Sequence, residues 1–247
     1  MTGARIIDVR ALTTGAARSA LDLLYPERCA GCHAFGTSLC ARCEATLVPV
    51  GLEGRCAFCA AKWDRPMHCN RCHGLHHIER IEAAFEMEGL ARQMVHGLKY
   101  RRIRSLAEPM ARHLQPLAAA HPGAAWFPVP LHRSRLRDRG FNQAESLLAA
   151  LGLAPPPASG LRREHKTEKQ VGRRARERHA NVAGAFSYRG EPLEGRDAVL
   201  IDDVVTTGAT VAECANVLRD FGARRVFVVC FARKSYDPER HGDPIHD

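Results

Sequence analysis

Asp202 and Asp203 stand side by side at the end of an apolar run, Ala-Val-Leu-Ile (198–201), and two valines later the chain reads Thr-Thr-Gly-Ala-Thr (206–210). Adjacent carboxylates repel one another and Asp is a poor strand former, so the pair calls for a compensating partner. The Thr/Gly loop supplies half of the answer. Backbone N–H groups of Thr206 to Ala209, the hydroxyls of Thr206, Thr207 and Thr210, and the positive end of the helix that follows would surround an anion. Gly208 lets the backbone approach that anion closely. The carboxylates ask for hydroxyl donors or a cation. A ribose 5-phosphate offers both, with its phosphate in the loop and its 2′- and 3′-hydroxyls on Asp202 and Asp203. A turn and helix cap would use some of these residues. The full string of apolar run, acid pair, two spacers and Thr-Thr-Gly-x-Thr is narrower than either part.

The elements that must position these groups can be read around them. Residues 197–203 form a buried-strand pattern, and 224–232 form a second one. Between them, 210–222 is helical in spacing, with Val211, Cys214, Ala215, Leu218 and Phe221 on one side and Gly222 at the stop. This β-α-β crossover is the unit of a parallel sheet with helices on both faces, where ligands bind beyond the carboxyl ends of the strands. Cys214 and Cys230 then fall in the core. Upstream, 80–88 reads as a strand, 90–100 and 104–120 as helices, 124–131 as a buried strand ending at Pro130, and 142–153 as a short helix. Residues 154–160 read as a loop, 161–180 as a mobile segment or a charged helix, and 184–190 as a strand.

The first third carries different chemistry. Cys29, Cys32, Cys40 and Cys43 form two C-x2-C pairs separated by seven residues, and Cys56, Cys59, Cys69 and Cys72 repeat the plan with nine. Each C-x2-C turn aims two thiolates at one ion, and two turns complete a tetrahedron. The stretches between them are too poor in apolar residues to build a core, so metal binding would supply the folding energy. Structural zinc is the expectation. Sequential and crossed pairings of the two sets have the same spacings, and His33, His68, His73, His76 and His77 lie close enough to substitute as ligands. An open, catalytic zinc is not expected, because such sites keep only three protein ligands.

Bulk properties narrow the class. The chain has 247 residues, is 45% hydrophobic and carries a formal charge of +9. That length suits one large domain or a medium domain with an appendage. No apolar run approaches a membrane span, and Arg5, Asp8, Arg10 and Arg18 interrupt any signal-like stretch, so a cytoplasmic protein is expected. Residues 17–26 read as a short amphipathic helix that would either pack on the body of the protein or make peripheral contact at the inner face of a membrane. Residues 132–140 carry a net +3 and 161–179 a net +5, two concentrated basic segments suited to phosphates, small or polymeric. Aromatic content of 6% argues against a long base-stacking platform.

The string from Val199 to Thr210 resembles the PRPP-binding signature of type I phosphoribosyltransferases. Val129–Leu148 (VPLHRSRLRDRGFNQAESLL) and Lys166–Phe186 (KTEKQVGRRARERHANVAGAF) are similar to segments of the ComF family, as is ALDLLYPERC ahead of the cysteine pairs. The resemblance covers roughly residues 20–235. It implies an α/β fold: a type I phosphoribosyltransferase-like parallel sheet flanked by helices, behind an N-terminal zinc-ribbon module. The implied division is a tail at 1–20, zinc-binding module(s) at 21–78, a phosphoribosyltransferase-like domain at 79–236 and a tail at 237–247.

By the same resemblance, Asp202 and Asp203 are catalytic and hold ribose hydroxyls of PRPP, and Thr206, Thr207, Gly208, Ala209 and Thr210 cradle its 5-phosphate. His132, Arg133 and Arg135 lie where such folds bind pyrophosphate. Lys166, Arg173, Arg174 and Arg176 sit in the place of a loop that closes over it. Mg²⁺ would accompany PRPP. The acceptor is not readable. The family's association is with natural competence, which implies single-stranded DNA and a competence helicase or translocase as partners. The implied function is therefore a phosphoribosyltransferase-like, PRPP-binding protein linked to DNA uptake. The alternative is a non-catalytic, PRPP-regulated DNA-binding or docking protein.

Overall fold

The computed structural model describes residues 27–51, 56, 58, 75, 77–156, 160–164 and 184–234. Among the eight clustered cysteines, Cys59, Cys69 and Cys72 lie outside them, as do Lys166, Arg173, Arg174 and Arg176 and both tails. Four parallel strands form the central sheet: β1 (Arg80–Glu86), β2 (Ala125–Pro128), β5 (Ala198–Val205) and β6 (Val226–Arg233), in the order β1-β6-β5-β2. A short antiparallel pair, β3 (Arg162–Arg163) and β4 (Phe186–Ser187), lies apart from it. Among the described residues the α-helices are α1 (Ala41–Glu44), α2 (Gly89–Tyr100), α3 (Ala107–Ala119), α4 (Arg133–Arg139), α5 (Gln143–Ala150) and α6 (Ala209–Asp220).

Strands β5 and β6 are apolar in continuous runs because both faces of the sheet are covered. On one face, Leu200, Val228 and Phe127 pack with Val211, Ala215 and Leu218 of α6. On the other, Val199, Ile201 and Phe231 pack with Met94 and Leu98 of α2, Met110 and Leu114 of α3, and Leu147 of α5. Helix α6 follows β5 onto one face, whereas α5, reached from β2, lies on the other. The β2–β5 border is therefore a change of winding direction, the place where open α/β sheets form a ligand crevice.

The expected elements correspond to these with three differences. Residues 162–163, expected within a mobile segment or charged helix, pair with β4 as β3. Strand β5 runs two residues past its expected end at 203, to Val205, paired with β6 as far as Val205↔Arg233. Backbone pairing outweighs the poor strand propensity of Asp. Residues 133–139, read only as a basic segment, form α4, because His132 caps it: its ring Nδ1 accepts from the Ser134 N–H at 3.2 Å.

The first cysteine knuckle docks on the sheet edge. Val50 N–H donates to Ala84 O at 3.2 Å and Glu86 N–H to Val48 O at 2.9 Å, so residues 48–50 extend the sheet beside β1. Leu39 and Leu47 join the core against α2 and α3. The His113 ring on α3 lies 2.9 Å from Glu44 of α1, a further link between knuckle and sheet.

Candidate functional site

Along β5, side chains alternate between the two faces until the acid pair. Ala198 and Leu200 belong to the α6 side and Val199 and Ile201 to the α2 side. Asp202 and Asp203 accordingly diverge. Asp203 is buried on the α2 side, where the Lys99 ammonium, at the end of α2, lies 3.0 Å from its Oδ1. Its other oxygen, Oδ2, is buried with no hydrogen-bond partner among the described residues. Asp202 is partly buried, and its Oδ1 accepts the backbone N–H of Asp203 at 2.8 Å. Burial and the adjacent Asp203 charge push the Asp202 carboxyl well above the usual range, against a smaller opposing pull from Lys99. An ionised Asp202 thus stands short of compensating charge and donors.

Asp202 shares a small cleft of about 50 Å³ with Thr206, Thr207, Gly208, Ala209 and Thr210. The five loop residues and one of the two carboxylates are brought together as expected, and Asp203 does not line this cleft. Gly208 stands at the helix N-cap with φ 77°, a left-handed conformation that favours glycine, and a Cβ there would meet Leu75 Cδ2 at 3.0 Å. No side chain caps α6. Its first N–H groups therefore face the cleft with the positive end of the helix behind them, an arrangement that favours a phosphate.

Of the pyrophosphate candidates, Arg133 lines a second cleft of about 230 Å³ at the exit of β2, together with Arg162 and Arg163 of β3 and with Glu145 and Glu164. His132 and Arg135 do not line it. The His132 ring is engaged in capping α4, with its Nδ1 2.9 Å from Ser134 Oγ. Burial and the charge of Arg135 lower the pKa of the Arg163 guanidinium, which stacks on Phe186 at 5.3 Å. An anion in this cleft would relieve that crowding of cations.

The Arg-Gly-Phe-Asn-Gln run at 139–143 has a structural job. Asn142 caps α5 through the Ala144 N–H and donates its Nδ2 to Val129 O, both at 3.1 Å. Arg139 donates to Gln143 at 2.9 Å, and Arg104 lies over the Phe141 ring at 4.7 Å. Together these fix the end of β2 and the orientation of α4 beside the cleft. Sequence reasoning missed Lys99. The Lys-Tyr-Arg-Arg string that contains it is basic throughout, and only the fold singles out the cation that turns inward.

Cys29, Cys32, Cys40 and Cys43 bring their sulfur atoms within 4.8 Å of one another. The Cys40 Sγ is 3.6 Å from that of Cys29 and 3.7 Å from that of Cys32. A tetrahedral zinc with bonds of about 2.3 Å needs sulfur–sulfur distances of about 3.8 Å, so the set fits a structural zinc closed to substrate. Burial opposes ionisation of Cys29, but N–H groups of Cys40, Cys32 and Gly31 outweigh it and bring its pKa down to about 6. Cys43, hydrogen-bonded to Cys40 and crowded by the other sulfurs, is pushed up to about 12. Crowded thiolates of this kind are what a divalent cation neutralises. The sequential pairing is therefore the one formed by the first set. Of the second set only Cys56 is described, and it is buried against Phe58 and Leu75. Cys214 and Cys230 are fully buried in the core, and burial pushes the Cys230 thiol up to about 12.

Among the described residues no helix is long and apolar enough to cross a membrane. Comparison with known proteins adds a family to this geometry. Residues 20–73 match a double zinc ribbon domain and 138–245 a phosphoribosyl transferase domain. A DNA utilization protein YhgH from Salmonella typhimurium is 34% identical over 208 residues, which is 79% of this chain and 89% of that one. The Escherichia coli protein of the same name is 35% identical over 150 residues, so the match spans 57% of this chain and 66% of that relative. Competence protein F from Haemophilus influenzae is 29% identical over 224 residues, 87% of this chain and 94% of its own. Among solved structures, a hypoxanthine phosphoribosyltransferase from Staphylococcus aureus is similar at 15% identity and a TM-score of 0.33, covering 57% of this chain and 68% of that one. A phosphoribosylpyrophosphate synthetase from Mycobacterium smegmatis gives 19% identity and 0.32, covering 53% and 34%. Taken with the parallel sheet and the four-cysteine knuckle, the relatives place this chain in the ComF family, whose members join a double zinc ribbon to a phosphoribosyl transferase domain.

Proposed function

We propose that the loop at 206–210 binds the 5-phosphate of PRPP and that Asp202 accepts its ribose hydroxyls. The carrying observation is the shared cleft: an uncapped helix N-terminus and an under-compensated carboxylate open onto one space. Lys99 holds Asp203 through Oδ1, leaving Oδ2 as a further acceptor once a ligand donor reaches it. Arg133, with Arg162 and Arg163, lines the cleft that we assign to the pyrophosphate of a ligand anchored in the loop. Mg²⁺, when bound, would neutralise charge on that pyrophosphate. Bond exchange at C1 of PRPP then releases pyrophosphate as an acceptor nucleophile attaches, and the basic cleft stabilises the charge of the leaving group. Relatives named for competence and for DNA utilization support a role in the uptake or use of DNA.

Calorimetric titration of the zinc-loaded protein with PRPP, with and without Mg²⁺, tests the binding step. Saturable binding that Mg²⁺ strengthens supports it, and no heat at millimolar PRPP refutes it. Pyrophosphate release on addition of candidate acceptor bases tests turnover.

A second reading, a PRPP-regulated binder of single-stranded DNA, is favoured by α4, which exposes Arg133 and Arg137 beside the cleft. Backbone contacts of that kind give affinity that falls with salt at a log–log slope of roughly −0.7 per phosphate contacted. Salt-dependent DNA binding that shifts with PRPP, together with no pyrophosphate release, would favour this reading over transfer.

A further inference from the structure

A groove of about 650 Å³ runs along the seam between the first cysteine knuckle and α2, and no residue of the 206–210 loop lines it. That volume is within the range of small-molecule sites, roughly 300–1,000 Å³. Its walls carry three guanidiniums: Arg28 from the knuckle, and Arg92 and Arg101 from α2 and its end. No carboxylate lines it, and none of the three pairs with an acid among the described residues. Three guanidiniums on the walls of one groove with no carboxylate among its lining residues favour a polyanion.

The groove also presents rings. His96 and Tyr100 lie one turn apart on α2 with centroids 5.4 Å apart, edge to face, and Tyr100 is 63% exposed. Exposed rings beside cations suit a planar heterocycle attached to phosphate.

The floor depends on close backbone packing. A Cβ on Gly97 would meet Leu106 Cδ1 at 2.8 Å, so glycine there lets the turn at 104–106 close beneath α2. Arg102, at φ 56°, reverses the chain, and Ile103 N–H donates to Gly97 O at 3.2 Å. These features shape a concavity from two segments distant in sequence, one of them tied to the four-cysteine cluster.

We propose that this groove is a nucleoside-phosphate site, with phosphates on Arg28, Arg92 and Arg101 and the base against His96 and Tyr100. It shares no residue with the PRPP cleft and stands independently of that reading. Helix α2 links the two sites, since its Lys99 holds Asp203 one residue before Tyr100.

The test is equilibrium binding of ATP, AMP, inorganic triphosphate and a short oligothymidylate to the full, zinc-loaded protein. ATP should bind more tightly than inorganic triphosphate and should not be displaced by excess PRPP. Its affinity should fall at least tenfold in the double variant Arg92→Ser/Arg101→Ser and severalfold in Tyr100→Ala. All three side chains are exposed, so zinc content and melting temperature should be unchanged. Arg28→Gln, on the opposite wall, should weaken ATP as well. The proposal is overturned if PRPP displaces ATP, or if no nucleotide binds at millimolar concentration. It is equally overturned if triphosphate matches ATP while Tyr100→Ala has no effect, or if only the oligonucleotide binds. A failure of PRPP to bind would sink the loop reading and leave these outcomes readable.

Discussion

The two ends of β5 both carry aspartate, and they treat it in opposite ways. At the incoming end, Asp197 receives two guanidinium forks. Arg224 donates to its oxygens at 3.0 and 2.9 Å and Arg225 at 3.2 and 2.6 Å. Those hydrogen bonds hold its carboxyl far below the usual range. At the outgoing end, Asp203 has one ammonium and a buried oxygen without a partner, while burial and the neighbouring charge drive Asp202 the other way. One strand thus contains an acid satisfied by the protein and an acid pair left for something else. Full compensation fits a structural role, and incomplete compensation beside an open helix end is what supports the binding role proposed for the pair.

Lys99→Met should have the largest effect on this contrast. It leaves the Asp203 charge buried without a cation, and removing one partner of a buried pair costs about 3–5 kcal/mol. Urea unfolding measures it, and Lys99→Met/Asp203→Leu should recover most of the loss. A loss below about 1 kcal/mol would mean that Asp203 is no more dependent on its cation than a surface acid.

Asp197→Asn should cost less, about 1–2 kcal/mol, because the guanidiniums keep solvent access. Its pH dependence has a definite sign. A carboxyl whose folded pKa is depressed contributes stability above the ordinary value of about 3.9, and that stability is lost as pH falls toward the folded pKa. The wild type should therefore lose its advantage over Asp197→Asn on acidification below about pH 4. An advantage as large at pH 2 as at pH 7 would contradict the assignment.

Asp202→Asn should give the smallest change and the opposite sign. Its folded pKa is raised, so ionisation works against the unliganded fold as pH rises through the ordinary carboxylate range. The variant should gain on the order of 1 kcal/mol at neutral pH and nothing below about pH 4. Thermal melts at both pH values check it, and destabilisation at neutral pH would make the two ends alike.

From the sequence the two adjacent aspartates look equivalent, because a one-dimensional string does not show which face each enters. The crossover around β5, the tight turn at Gly208 ahead of α6 and the first cysteine set were readable, since each rests on local spacing that covalent geometry converts directly into shape. The role of Lys99 was not readable. It depends on α2 packing over the sheet 104 positions before Asp203, a contact fixed by the core rather than by any motif. The capping function of the 139–143 run was hidden for the same reason, as was α4. Its arginines give no apolar period, and its start depends on one His132 hydrogen bond.

The most direct measurement is the affinity of Asp202→Asn for PRPP, by titration calorimetry with Mg²⁺, beside wild type and Asp197→Asn. Losing a charged acceptor for a ribose hydroxyl costs roughly 1.5–3 kcal/mol, or about ten- to a hundredfold. The account predicts that loss in the variant that folds more stably, and unchanged affinity in Asp197→Asn, which folds less stably. PRPP binding that follows stability, or that is equal in all three proteins, would contradict it.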